Sequence, residues 1–230
     1  MPCDVIMDLK PAAAAFSVSK AQKSAILPCV FSGNYKGGHT IDIDLLLTRR
    51  AGAGPLRDQI SEIEEKIKEG ALLRVNGKLR RLVYQDRNSG EEVSKLQLYA
   101  YNVSISPEDQ PVYSTVLIEG GVRKLSDTEI FKDLGSYRKV AFMLFSDPET
   151  NMERETYLTL YCTGYDAVAD RVNKLKLREK SHVIVSGKLE ATAFGMLGLR
   201  IFDLHFSNSK PLDTRKENPH DTKNDKINNP

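Results

Sequence analysis

Aromatic and basic side chains on alternating strand positions are the chemistry-bearing residues of this chain. Along Tyr157–Thr163, Leu158, Leu160 and Cys162 fall on one face of an extended segment, and Tyr157, Thr159, Tyr161 and Thr163 fall on the other. With the apolar face turned to a core, both tyrosine rings point outward, where a planar ligand could stack. Surface tyrosines also suit a strand without any ligand. A second pattern runs through Leu73–Arg81. Leu73, Val75 and Leu79 point in, and Arg74, Asn76, Lys78 and Arg80 point out, with Arg81 following and Tyr84 close by. Tyr99 and Tyr101 share a face with Lys95 and Gln97 and extend this strip. Cations beside exposed rings suit a nucleic-acid strand, with phosphates tracked by charge and bases stacked on rings. The competing reading is an edge strand protected by charge. Arg123, Lys124, Arg138, Lys139 and Lys188 are further candidate cations, each of a type commonly found as a solvated surface charge.

Catalytic patterns are thin. Gly70 and Gly77-Lys78 lack phosphate-loop spacing, and Leu79 stands where that motif needs Ser or Thr. Gly52 and Gly54 are followed by Arg57, so the dinucleotide fingerprint fails. His39, His182, His205 and His220 are scattered, with no Cys or carboxylate at ligand spacing. No metal site, cofactor or catalytic residue is expected, and the chain is read as a non-enzyme. Cys3, Cys29 and Cys162 lie far apart and form no even disulfide set, which fits a reducing cytosol. The Asp4- and Asp8-bearing start lacks a basic-then-apolar leader pattern, and no apolar run approaches ~18 residues, so no membrane association is expected. The net charge of +2 over 230 residues excludes a wholly basic surface and leaves binding to a confined arrangement of charge.

The elements that must position these residues come in two sets. Leu73-Arg74-Val75-Asn76-Gly77-Lys78-Leu79 matches Val183-Ile184-Val185-Ser186-Gly187-Lys188-Leu189, and the two glycines lie 110 positions apart, a domain-sized spacing. Each segment follows a helical stripe. Leu56, Ile60, Ile63 and Ile67 form the first, with Gly70 placed as its C-terminal cap. Val168, Val172 and Leu175 form the second, with Asp166 placed as its N-cap. Further strands are expected at Leu96–Ser104 and Leu199–Ser207. Upstream, the second half offers Ser114–Val122, Lys139–Phe145 and Tyr157–Thr163. The first offers Phe16–Val18, Ala25–Phe31 and Thr40–Leu47, with a loop at Gly52–Pro55. Five strands with one helix between the third and fourth is the order of the OB-fold. The expectation is therefore a mainly β chain of two tandem OB-fold (five-stranded Greek-key) barrels. The first spans 1–106, a linker 107–112, the second barrel 113–208, and a polar, disordered C-terminal tail 209–230.

Over about 95 residues, from Tyr113 to Asn208, the second half resembles the bacterial single-stranded DNA-binding protein (SSB) family. The resemblance rests on Thr115-Val116-Leu117-Ile118-Glu119-Gly120, on Glu155 through Gly164, on Ala167–Val172 and on Val183–Leu189. The first half is similar only over Leu56–Ser104. The resemblance implies base stacking in a barrel's outer groove, where the family uses mainly Trp. This chain has none, and Tyr157 and Phe194 stand as counterparts. By the 110 spacing, Tyr84 is the counterpart of Phe194. The implied function is largely sequence-independent binding of single-stranded DNA in replication, recombination or repair. The alternatives are RNA binding or an OB-fold scaffold for proteins. The family often ends in an acidic tip that recruits replication and repair proteins, whereas acidic and basic residues alternate here. Two barrels per chain suggest a homodimer presenting four. Asp42 and Asp44 point outward beside Ile41, Ile43 and Leu45 at positions roughly equivalent to Thr159 and Tyr161, which argues against two equal sites.

Overall fold

The computed structural model describes residues 3–33, 39–49, 55–86, 89–107, 112–131, 137–146, 158–192 and 195–207. Apolar residues alternate with polar ones along most of its strands, and the alternation closes into two barrels. The first contains β1 (Cys3–Pro11), β2 (Ser17–Val18), β3 (Ser24–Phe31), β4 (Ile41–Thr48), α1 (Leu56–Lys68), β5 (Leu73–Gln85) and β6 (Glu92–Ile105). The second contains β7 (Ser114–Arg123), β8 (Glu129–Phe131), β9 (Tyr137–Ser146), β10 (Thr159–Tyr165), α2 (Ala167–Lys174), β11 (His182–Ala191) and β12 (Leu197–Phe206).

The pairing is the same in both halves. In the first, β1 pairs with β3, β3 with β4, and β5 with both β1 and β6, all antiparallel; a parallel β4–β6 ladder closes the barrel. In the second, β7–β9, β9–β10, β7–β11 and β11–β12 repeat this order, and a parallel β10–β12 ladder closes it. The residues expected to face in do so: Ile43, Leu45, Leu73, Val75, Leu79, Leu158, Leu160 and Cys162 are all buried. Leu56, Ile60 and Val172 anchor the two helices to the core. Gly70 ends α1 in the left-handed region, with φ +81°, as expected of a C-terminal cap.

The matched glycines mark the same structural event. Register shifts between Asn76 and Gly77 in β5, and between Ser186 and Gly187 in β11. At each bulge the partner strand comes so close that a Cβ would lie 2.3 Å from the Tyr99 carbonyl oxygen or 2.2 Å from that of Arg200. Only glycine fits there, which is why this position repeats.

The expected strand order is corrected at its start. The first strand of the first barrel is Cys3–Pro11, and Phe16–Val18 contributes only the two-residue β2, hairpinned onto β3. Cys3, Val5, Met7 and Leu9 alternate into the core, but Asp4 and Asp8 on the other face make the segment read as a polar start. Asp166 stands at the N-cap of α2, as expected, but its side chain makes no capping hydrogen bond; its carboxylate accepts from the Arg138 N–H at 3.0 Å. The 110 spacing holds for β5 and β11 but not for the last strands. β5 and β6 have 13 and 14 residues, against 10 in each of β11 and β12. Tyr84 lies in the part of β5 that runs on past the length of β11, and its expected counterpart Phe194 falls outside the described residues, as do Tyr157 and residues 208–230.

One pairing has no counterpart in the sequence patterns. The N-terminal half of β1 pairs antiparallel with the N-terminal half of β7, from Asp4↔Leu117 to Met7↔Ser114, so the barrels share one twelve-stranded sheet. Beside this seam, Asp8 is buried. Its carboxylate accepts from Arg74 Nε at 2.8 Å and from the Tyr113 N–H at 2.8 Å, and Arg74 also reaches Ser106 Oγ at 3.2 Å. Burial pushes the Asp8 carboxyl up. Hydrogen bonds from Arg74, Tyr113 and Ser106, with the Arg74 charge, outweigh it and hold the group below its ordinary value of 3.8.

Two predictions follow from this packing. Gly187→Ala should cost about 1–3 kcal/mol and lower the melting temperature by several degrees, and Gly77→Ala should do the same in the first barrel. Wild-type stability for both in a thermal melt would refute the close-approach account. Because Asp8 has a folded-state pKa below its unfolded one, it stabilises the fold at neutral pH, and that contribution is lost as pH falls through the folded value. Asp8→Ala should lose about 3 kcal/mol at pH 7, and its stability should vary less with pH below about 4 than that of the wild type. Denaturant titrations across this window decide it.

Candidate nucleic-acid interface

The outward positions around the second barrel's closing ladder form a groove of about 390 Å³. Its floor is Tyr161, Thr163 and Tyr165 of β10, with Lys139 of β9 directly opposite Tyr165. Tyr161 pairs with Gly198 of β12 on one side and Met143 of β9 on the other; Gly198 adds no side chain of its own, the Thr192 methyl lies 2.9 Å from where its Cβ would be, and the Tyr161 ring is 40% exposed. Met196 and Thr192, with Glu190 and Ala191, form the wall. The first barrel braces this wall: a Cβ on Gly33 would lie 2.5 Å from the Ala191 nitrogen.

Further rings and cations continue the surface. The Phe131 and Tyr137 rings stack with centroids 4.8 Å apart, and the Tyr137 centroid is 5.9 Å from that of Tyr165. The Arg200 guanidinium lies 5.3 Å from the Tyr165 centroid, and Lys139 Nζ lies 5.8 Å from that of Phe131. Lys188, half-buried on β11, pairs across from Arg200. The arrangement offers one exposed ring, Tyr161, beside rings whose faces are already met by each other or by cations, Phe131 by Tyr137 and Lys139 and Tyr165 by Arg200, plus one carboxylate, Glu190, in the wall.

Of the expected residues, the structure brings Lys139 and Tyr161 into this groove and Lys188 to its flank. Arg138 sits at its margin, ion-paired with Asp170. Tyr165, Tyr137, Phe131, Met196 and Arg200 were not singled out from the sequence. Tyr165 had a signal, because it shares the parity of Tyr161 and Thr163 one pair further along the strand. Phe131 and Tyr137 had none, since a hairpin brings them together.

The first barrel uses its equivalent positions differently. Asp44 pairs across from Gln97, as Tyr161 does from Gly198. Lys95 Nζ lies 3.6 Å from the Asp44 carboxylate. Gln97 is buried rather than presented on the strip, and its Oε1 accepts from Arg80 Nε at 3.0 Å. The Tyr99 hydroxyl is 2.8 Å from Thr48 Oγ1, and its ring meets Tyr101 edge-on with centroids 5.9 Å apart. Tyr101 falls at the β5–β6 bulge and is 40% exposed, Tyr84 is 37% exposed, and Arg81 donates from Nε to Ser94 Oγ at 2.7 Å. Lys78 is half-buried opposite Tyr99. Arg74 departs from its expected role: its guanidinium is committed to Asp8 and lies 5.0 Å from the Tyr113 ring centroid.

No family profile matches the chain, and no curated protein does. Solved structures do match. The wild-type single-stranded DNA-binding protein from Thermus aquaticus superposes with a TM-score of 0.55 and 15% identity, over 91% of this chain and 94% of that one. A deletion variant of the same protein gives 0.56 and 14%, over 90% and 95%. This chain has the tandem OB-fold of those Thermus aquaticus structures. The match spans both OB barrels, so the likeness of fold extends to the first half, where the sequence resemblance covered only Leu56–Ser104.

Among the described residues, no cluster of His, Cys, Asp and Glu could hold a metal ion, and no helix is long and apolar enough to cross a membrane. The three cysteines are buried in the OB cores. Burial, reinforced by the Asp44 charge, pushes the Cys29 thiol up to about 12. Burial also raises Cys3, beside Asp4, and Cys162. Thiolate chemistry at neutral pH is therefore suppressed. All three thiols should resist a charged aromatic disulfide reagent at pH 8 and react together once denaturant is added; fast reaction of any of them in the native protein would contradict the packed core.

Proposed function

We propose that this chain binds single-stranded DNA without catalysing a reaction and largely without regard to sequence. The observation that carries this reading is the second barrel's groove, where the exposed Tyr161 ring lies beside Gly198 with Lys139 and Arg200 nearby. Stacking tolerates any sequence because every base has a π-face, and each stacked base contributes about 1–3 kcal/mol. Lys139, Lys188 and Arg200 meet phosphates, while Glu190 limits how closely the backbone follows the wall. A duplex buries its base faces and offers nothing to such a floor. The Thermus aquaticus protein of the same fold is by its name a single-stranded DNA-binding protein, which supports this reading. The role we assign is in DNA replication, recombination or repair, in the cytoplasm, with a homodimer of four barrels as the working assembly.

Fluorescence anisotropy with a labelled oligo-dT of about 30 nucleotides tests this. The chain should prefer the single strand to the matching duplex by at least about tenfold. Log affinity should fall linearly with log salt, with a slope of roughly −0.7 per phosphate contact. An RNA strand of equal sequence that binds more tightly would reassign the ligand to RNA. No binding to either strand at low salt would leave a scaffold whose partner is a protein.

A further inference from the structure

The two barrels share every pairing, yet the side chains they present at the same outward positions differ in kind. The closing ladders give a position-by-position match. Asp44 stands where the second barrel has Tyr161, and Gln97 where it has Gly198. One pair further on, Tyr99 stands where it has Arg200, and Lys95, one residue outside the ladder, where it has Met196. Continuing the ladder register along β4 and β10 puts Thr48 where Tyr165 is.

In the second barrel these positions leave the Tyr161 ring 40% exposed, with Arg200 lying over the neighbouring Tyr165 ring. In the first they satisfy one another. The Lys95 charge lies 3.6 Å from Asp44, Arg80 covers the buried Gln97, and Thr48 holds the Tyr99 hydroxyl at 2.8 Å. A base stacking over this strip would displace Lys95 from Asp44 and leave a carboxylate against its own phosphates. The aromatic component is also displaced, because Tyr99 is half-buried with its hydroxyl held by Thr48, and Tyr101, though 40% exposed, stands at the β5–β6 bulge with its ring edge-on to Tyr99.

On the basis of the proposed single-strand binding, we infer that base stacking is confined to the second barrel, and that the first barrel's equivalent face is closed to bases by its own side chains. Each chain then holds nucleic acid through one stacking platform, not two. The first barrel contributes to binding only through charge, from Lys78 and Arg81 of β5, and through its Gly33 brace behind the second barrel's wall. Likeness of fold between the halves is thus not likeness of site.

Photo-crosslinking of the wild-type full chain to oligo-dT, followed by peptide mass spectrometry, tests this without any variant. Cross-links should concentrate on the β10 and β12 peptides that carry Tyr161, Tyr165 and Met196. Comparable yields at Tyr84, Tyr99 or Tyr101 would overturn the inference while leaving single-strand binding intact. Absence of binding by the wild-type chain would overturn the binding proposal and this inference with it. In parallel, Tyr161→Ala should weaken oligo-dT binding roughly tenfold to a hundredfold with an unchanged melting temperature. Asp44→Ala, which removes no ring, should change affinity by less than about threefold. A loss under threefold for a folded Tyr161→Ala, or a gain of tenfold or more for Asp44→Ala, would sink the asymmetry.

Discussion

Each barrel is held shut by a short parallel ladder, β4 on β6 and β10 on β12, and the rest of the structure depends on these few backbone pairs. Without them each half would be an open meander with two exposed edges, and edges invite pairing with other chains. Closure also divides the residues of the ladder strictly. Ile43, Leu45, Leu160 and Cys162 point into the cores and must be apolar. Their neighbours Asp44, Tyr161 and Thr163 point out and are free to vary. Candidate binding chemistry can therefore change at the ladder without disturbing the fold.

The same division explains how two halves of one chain can share pairing and differ in surface. Inward positions answer to packing density, where a single added methylene is felt. The bulge glycines are stricter still, because the carbonyls of Tyr99 and Arg200 occupy the space a Cβ would need. Outward positions answer only to solvent and to ligand. The first barrel fills them with a network that satisfies its own charges and hydrogen bonds, and the second fills them with rings and cations. The β1–β7 seam then fuses both into one sheet, with the Asp8–Arg74 pair at its margin.

Wherever a structural demand repeats over a few residues, it was legible in the sequence. The Val-x-Gly-Lys-Leu pattern located the bulged strand of each barrel. Period-two alternation assigned the inward faces of β4, β5 and β10 correctly. The helix stripes placed α1 and α2, and the five-strand order indicated the fold. Where one element's character was mixed, reading faltered. Cys3–Pro11 alternates correctly, but its carboxylates disguised a core strand. Arg74 read as a ligand-facing cation because nothing local reveals that Asp8, 66 residues away, sits beside it.

The sequence by itself determined the two barrels, their strand faces and the contrast between outward carboxylates in one and outward tyrosines in the other, because these follow from local periodicity and repeat. Only the tertiary structure decided which of those residues meet. The stack of Phe131 on Tyr137, the approach of Arg200 to Tyr165, the pairing of Tyr161 with Gly198 and the commitment of Arg74 to Asp8 all depend on register between strands distant in the chain. Register is set by closure and by bulges, which sum over the whole barrel, so no short window of residues contains it.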